Sequence, residues 1–236
     1  RYGESHFHEI ELFQKILKPG DLVIDVGAHI GTTVIPMAQS VGKTGYVVAI
    51  EAQPFLYNVL CGNLALNHLN NVQPLNRAVS EKSGSVVFIP EIDYQANENF
   101  GGICMASSPD AQDAQGRSME KSVATIAIDD LHLAKPNFIK IDVEGMEVAV
   151  LVGAINTIRR AKPVIYMEFV SNREEILKAL KDLGYEWKLH EPPLFNTNNF
   201  LNDPEDVLLN NGVNMVSGDL LCWHPENPIE VESDYF

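Results

Sequence analysis

Apolar positions along the chain switch between a strand period and a helix period, and the two kinds of segment alternate. Residues 21–26 are rich in β-branched side chains, which is typical of a parallel strand buried on both faces. A helical segment follows, and similar apolar runs cover residues 46–50 and 137–141. Strands that alternate with helices predict βαβ units and an open α/β sheet.

The same periodicity predicts the other elements. Helices are expected at residues 6–18, 54–66, 148–159 and 172–183, and strands at 72–79, 85–90, 123–128, 163–169, 185–190 and 219–224. Pro74 favours a place at the sheet edge for its strand, because proline cannot donate to a ladder. No helical segment separates the last two strands, which predicts an antiparallel final strand.

These elements predict one main domain with two additions. Residues 1–20 form an N-terminal covering helix, and residues 21–236 form the α/β domain. An insertion at about residues 91–120 is rich in Asn, Gln, Asp, Ser and Gly, and a loop of this length is often a binding loop or lid. Four of its residues are predicted to contact an acceptor: Asn99, Phe100, Gly101 and Gly102.

The loop after the first strand, Gly27-Ala28-His29-Ile30-Gly31, predicts a ligand site. Glu51 ends the second strand about 20 residues later, where a carboxylate can bind a ribose diol. His29 occupies the position where a dinucleotide fingerprint needs its middle glycine, so a pyrophosphate is disfavoured. A ligand with an amino-acid portion and no phosphate, such as S-adenosylmethionine, suits this turn. Asp25 could instead only cap the turn.

Acidic residues also follow two later strands. Asp142 and Glu144 come after residues 137–141, and Glu168 ends the strand at 163–169. Ligands of open parallel sheets bind at the carboxyl ends of the strands, so these acids are expected in the crevice that holds Gly27. They could alternatively favour a helix dipole or orient a diol through a divalent cation. Their spacing forces no coordination geometry, and no metal is predicted.

Composition narrows the partners. Seventeen basic and thirty-two acidic residues give a formal charge of −15, which disfavours nucleic acid and anionic lipid as partners. Three scattered cysteines indicate neither a disulfide framework nor a zinc site. No apolar run is long enough for a membrane span. We therefore expect a cytoplasmic protein with a small-molecule or glycan acceptor, and a homo-oligomer is compatible with the sequence.

Three stretches together resemble the FkbM-type family of S-adenosylmethionine-dependent methyltransferases: residues 23–31, Glu51 with Pro54, and the IKIDVEGME run at 139–147. The resemblance implies a class I methyltransferase fold. That fold is a Rossmann-like three-layer sandwich around a seven-stranded, mostly parallel sheet with an antiparallel last strand. It also implies methyl transfer to oxygen, commonly a hydroxyl of a sugar or natural product.

Site residues follow from the resemblance by position. The cofactor set is Asp25, Gly27, Ala28, His29 and Gly31 for the methionine part, Glu51 with neighbouring Ala52 for the ribose, Arg77 and Ala78 for adenine, and Asp142 beside the methyl group. His29 departs from the asparagine usual in the family. The catalytic candidates, as acceptors of the hydroxyl proton, are Asp142, Glu144 and Glu168, with His8, His29 and His190 behind them. A nicotinamide dehydrogenase and a non-catalytic binding scaffold are the alternative functions.

Overall fold

The computed structural model describes residues 6–95, 100–113, 116–196, 199, 209–210, 213–214, 216–231 and 235–236. A seven-stranded sheet forms its centre. Its strands are β1 (Leu22–Val26), β2 (Tyr46–Glu51), β3 (Val72–Asn76), β7 (Phe138–Ile141), β8 (Val164–Glu168), β9 (Glu186–His190) and β12 (Asp219–Trp223). They lie in the order β3-β2-β1-β7-β8-β12-β9. β12 pairs antiparallel with both β8 and β9, and the other pairings in this sheet are parallel. The predicted fold class and the antiparallel last strand are confirmed.

Helices cover both faces of this sheet. They are α1 (Phe7–Ile16), α2 (Val34–Val41), α3 (Pro54–Leu66), α4 (Glu147–Gly153), α5 (Ile155–Ala161) and α6 (Arg173–Asp182). One core cluster joins α1, α2 and α3 to the sheet, with Phe13 packed edge-on against Phe138 and Tyr166. The other cluster joins α4, α5 and α6 to the opposite face. Alternate residues of each strand therefore face different helix layers, as both-sided burial requires.

The prediction of one continuous strand at 72–79 is wrong, because two strands lie there and Arg77 separates them. β3 lies at the edge of the main sheet, as Pro74 predicted, whereas β4 (Ala78–Val79) pairs with β6 (Met119–Ile126) in a separate sheet with β5 (Val86–Pro90). The Asn76 side chain donates hydrogen bonds to the carbonyls of Glu51 and Ala52, both at 2.9 Å. These bonds hold the turn beside the end of β2.

Two further boundaries differ from the prediction. The helix predicted at 148–159 is divided into α4 and α5 at Ala154, whose φ of −111° and ψ of 3° are not helical. The strand predicted at 123–128 begins earlier, at Met119, and ends before a 3₁₀ turn at Ile128–Leu131. The last two residues of the predicted insertion, Met119 and Glu120, therefore belong to β6. β10 (Leu209–Asn210) and β11 (Val213–Asn214) form a small separate hairpin.

None of the helices in the described ranges combines the length and apolarity needed to cross a bilayer.

Candidate active site

A cavity of about 690 Å³ opens at the carboxyl ends of β1, β2 and β7. This is the edge of an open α/β sheet at which ligands bind. Its volume lies within the range of roughly 300–1,000 Å³ that is usual for small-molecule sites. The lining residues are His6, Val26, Gly27, Ala28, His29, Thr32, Thr33, Ile50, Glu51, Ala52, Gln53, Leu56, Arg77, Val79, Gly101, Ile103, Met105, Lys140, Asp142, Val143, Glu144, Met146 and Leu194.

The floor of the cavity is the turn after β1. Gly27 has a φ of +86°, and a Cβ atom placed on it would lie 1.8 Å from the carbonyl oxygen of Asp142. The amides of Gly27 and Ala28 both donate to the carbonyl of Ile50, at 2.9 and 3.0 Å. His29 also has a positive φ, of 49°. Only glycine at position 27 lets the tips of β1 and β7 approach this closely.

Glu51 ties this turn to the end of β2. One carboxylate oxygen accepts the backbone N–H of His29 and the other accepts that of Gln53, both at 2.8 Å. Burial raises the pKa of Glu51, and the two backbone hydrogen bonds partly offset that effect. The side chain is 6% exposed and lines the cavity, so its remaining lone pairs can accept hydroxyl groups of a ligand.

Asp25 lies beneath the floor and is not among the lining residues. Its Oδ2 accepts the hydroxyl of Thr33 at 2.8 Å, and its fully buried Oδ1 has no hydrogen-bond donor. The Lys140 ammonium lies 3.8 Å from Oδ1. Burial raises the pKa of Asp25, against the opposing effect of Lys140. The structure therefore places Asp25 behind Thr33, which does line the cavity.

Other members of the predicted cofactor set divide in the same way. Ala28, His29, Ala52 and Arg77 line the cavity, whereas Gly31 and Ala78 do not. A Cβ atom on Gly31 would lie 2.9 Å from the side chain of Leu60, so this glycine serves the packing of α3. Ala78 is buried in β4 beside its lining neighbours.

The three predicted catalytic acids come together: one carboxylate oxygen from each of Asp142, Glu144 and Glu168 lies within 4.8 Å of the others. Asp142 and Glu144 line the cavity, and Glu168 lies next to them. Burial and the Asp142 charge raise the pKa of Glu168 to about 8, and the same two causes raise that of Glu144. Burial disfavours the anion of Asp142, but Lys140 outweighs it and lowers the pKa.

Part of the predicted insertion closes the cavity. Gly101, Ile103 and Met105 line it, and the carbonyl of Phe100 accepts a hydrogen bond from the Gln53 side chain at 2.7 Å. Gly102 is described but exposed and does not line the cavity, and Asn99 lies outside the described residues. The predicted acceptor loop thus contacts the turn after β2, next to Glu51.

Two of the lining residues with ionisable side chains, Lys140 and His6, were absent from the predicted site. Lys140 could have been found from its spacing, since residues two apart on a strand share a face and it precedes Asp142 by two. His6 lies just before α1, at the start of the predicted covering helix; burial lowers its pKa to about 4, so its imidazole is neutral at pH 7. His8 and His190, the histidines predicted as alternative bases, do not line the cavity. His8 forms a hydrogen bond with the hydroxyl of Tyr235, and His190 forms one with the hydroxyl of Tyr166.

Comparison with known proteins identifies the family. The model of the methyltransferase FkbM domain matches residues 25–187, which is more than half of the chain. The chain belongs to the FkbM methyltransferase family. Membership confirms the predicted family, and the cofactor is S-adenosylmethionine, as predicted.

Solved structures agree with this fold. An FkbM methyltransferase from Methylobacillus flagellatus KT superposes with a TM-score of 0.57 at 15% identity, over 93% of this chain and 50% of that one. A precorrin-6y C5,15-methyltransferase from Geobacter metallireducens GS-15 superposes with a TM-score of 0.51 at 15% identity, over 92% of this chain and 87% of the other. At these identities the likeness concerns the fold alone.

One curated relative is similar in sequence over a shorter stretch. It is a tRNA(Phe) (4-demethylwyosine(37)-C(7)) aminocarboxypropyltransferase from Methanocaldococcus jannaschii, 37% identical over 84 residues. The match covers 34% of this chain and 33% of the relative. The FkbM chain thus matches about a third of this relative's length, and about half of the length of the Methylobacillus flagellatus structure.

The residues around the cavity suit S-adenosylmethionine, whose ammonium and sulfonium groups are cationic. Glu51, Asp142 and Glu144 line the cavity, and Oδ1 of Asp25, which accepts no hydrogen bond, lies below it. The side chains of Leu56, Ile103 and Met105 also line the cavity, and they form an apolar part that suits the planar adenine base.

Proposed function

We propose that this FkbM protein is an O-methyltransferase that acts on a hydroxyl group of a small acceptor such as a sugar or natural product. The observation that carries the proposal is the meeting of Asp142, Glu144 and Glu168 beside a cavity formed by the tips of β1, β2 and β7. The bound cofactor supplies a methyl group activated by its positively charged sulfur. The protein's own residues supply alignment and a place for the acceptor proton.

Binding of the cofactor is assigned to residues of the cavity floor and one wall. Glu51 would accept the ribose hydroxyls, and the turn at residues 27–29 would bind the methionine part through its backbone. Arg77 lies beside the end of β3 and would border the adenine. Asp142, which is held ionised by Lys140, would face the sulfonium and stabilise its charge in the bound state. Asp25 and Gly31 would support this turn from behind.

Proton acceptance is assigned to Glu168 and Glu144. A carboxylate whose pKa lies near the working pH is a better base than an ordinary one, because it binds the proton more strongly when it receives it. The pKa of Glu168, raised to about 8, meets this condition. Gly101 from the insertion and His6 from the covering helix border the same cavity and would contact the acceptor.

A small neutral acceptor is favoured over a nucleic acid. The chain carries a formal charge of −15, and the strand tips add three carboxylates next to the reacting position. A phosphate backbone would be repelled by both. The tRNA named for the Methanocaldococcus jannaschii relative makes nucleic acid the alternative to test. We also propose a cytoplasmic location, because the three cysteines are free thiols and thiols stay reduced in that compartment.

The role of Glu168 predicts a pH dependence. If its carboxylate is the base, kcat/KM for the acceptor should rise about tenfold per pH unit below pH 8 and level off above it, because the group must lose its proton to act. Glu168→Gln should lower kcat at pH 9 by about 100-fold and remove this slope, with little effect on cofactor affinity. Glu175→Gln, on the exposed side of α6, is the control. An unchanged slope in Glu168→Gln would assign the base elsewhere.

The function is tested by mass spectrometry. The purified protein and S-adenosylmethionine are incubated in separate reactions with a panel of sugars and polyols, with a panel of natural-product alcohols, and with total tRNA. A mass gain of one CH₂ unit on an oxygen of a small acceptor, with release of S-adenosylhomocysteine, supports the proposal. Methylation of tRNA alone, or transfer of an aminocarboxypropyl group to any acceptor, would contradict it.

A further inference from the structure

One side chain at the cavity wall stands out by its charge. Among the residues that the structure describes, Lys140 is the only buried lysine or arginine, whereas the buried carboxylates include Glu9, Asp25 and Asp219. All three lie near enough to Lys140 to interact with it electrostatically. A buried ammonium is costly to desolvate, so it persists only where charged partners compensate it.

The strand register places Lys140 between Asp25, behind the cavity floor, and Asp142, which lines the cavity. It pairs with Asp25 across β1 and β7, and its ammonium lies 3.8 Å from Asp25 Oδ1. Asp142 lies two residues further along the same chain, and its Oδ2 accepts a hydrogen bond from the ammonium at 2.9 Å. The two acids differ in access: the Asp142 side chain is 38% exposed and that of Asp25 is fully buried.

We propose that Lys140 is a positioning residue for cofactor binding: its ammonium holds Oδ2 of Asp142, which fixes the carboxylate at the cavity wall and directs Oδ1 to the ligand. This inference rests on the proposed role of Asp142 at the cofactor. Because Asp25 Oδ1 has no hydrogen-bond donor, the longer contact to Asp25 neutralises charge without competing for the hydrogen bond.

A purely structural role for Lys140 is the competing explanation. Removal of the ammonium alone would leave Asp25 as an uncompensated buried charge, which is strongly destabilising whatever happens to Asp142. The Asp25→Asn background separates the two explanations. Asparagine keeps an acceptor for the Thr33 hydroxyl and carries no charge, so Lys140→Met in this background removes the buried pair together.

The experiment is a double-mutant cycle in the Asp25→Asn protein. Lys140→Met, Asp142→Asn and their combination are compared for S-adenosylmethionine affinity by calorimetry and for unfolding by urea. We expect each single change to weaken binding about tenfold and the combination to weaken it no further, because both remove one contact to the cofactor. A purely structural role for Lys140 predicts a different result. Lys140→Met would then lower the free energy of unfolding, and the losses of affinity caused by Lys140→Met and Asp142→Asn would be additive.

Four outcomes overturn specific claims. Additive losses, or unaltered affinity in Lys140→Met while Asp142→Asn loses it, would overturn the positioning role and leave the cofactor site intact. A protein with Asp25→Asn and Lys140→Met that does not fold would also overturn it, since the ammonium would then serve the fold beyond its pair. Unaltered affinity in Asp142→Asn would instead reject the placement of the cofactor at Asp142.

Discussion

Gly27→Ala should abolish detectable binding of S-adenosylmethionine and lower the free energy of unfolding by about 3 kcal/mol or more. Two causes act together. The new Cβ atom would lie 1.8 Å from the carbonyl oxygen of Asp142, and alanine would have to adopt a φ of +86°. Relief of the clash must separate the tips of β1 and β7, which carry the turn at residues 27–31 and Asp142.

Gly42→Ala is the matched control for this variant. Gly42 also has a positive φ, of 65°, but nothing lies within 4 Å of the Cβ position. It should therefore lose only the energy of a strained backbone conformation, about 1–3 kcal/mol at its φ of 65° and ψ of −168°, and keep its affinity for the cofactor. Urea unfolding and calorimetry measure both quantities. Equal behaviour of the two variants would contradict the claim that contact between the strand tips shapes the site.

Glu51→Ala should weaken S-adenosylmethionine binding by about 100-fold or more, because it removes two charge-assisted hydrogen bonds as well as the proposed ribose contact. The bonds from the N–H groups of His29 and Gln53, both at 2.8 Å, hold the turn after β1 and the turn after β2 in one arrangement. Their loss would leave two donors unsatisfied at the cavity wall.

The measurement for Glu51 is calorimetric titration with S-adenosylmethionine and with free adenosine. Both ligands carry the ribose, so both should lose affinity in the variant. Glu175→Ala removes an exposed acid from α6 and should change neither titration. If Glu51→Ala bound both ligands as tightly as the unchanged protein does, Glu51 would not contact the ribose.

Much of the architecture could be predicted because local pattern and tertiary context agree there. Apart from Asp25 and Lys140, β1 and β7 consist of apolar residues and are buried on both faces, so the local pattern agrees with their place in the middle of the sheet. The sequence predicts that the acids after β7 and the acid at the end of β8 meet Gly27 at one edge of the sheet. The structure brings Asp142 and Glu144 to the cavity beside Gly27, with Glu168 next to them.

The prediction and the structure differ where contacts with distant segments of the chain determine the local structure or the position of a side chain. The division of the strand at Arg77 depends on hydrogen bonds from Asn76 to carbonyls of another strand, which the local pattern does not contain. Asp25 was predicted to touch the ligand, and only the approach of Lys140 and Thr33 from other elements shows that it lies behind the floor. His6 reaches the cavity because α1 packs across the sheet.

The most direct test of the central claim is a crystal structure of the protein with S-adenosylhomocysteine. The account predicts that the ligand occupies the cavity at the ends of β1, β2 and β7, with its ribose hydroxyls within hydrogen-bond distance of Glu51 and its sulfur facing Asp142. A ligand bound outside this cavity, or one whose ribose lies away from Glu51, would contradict it.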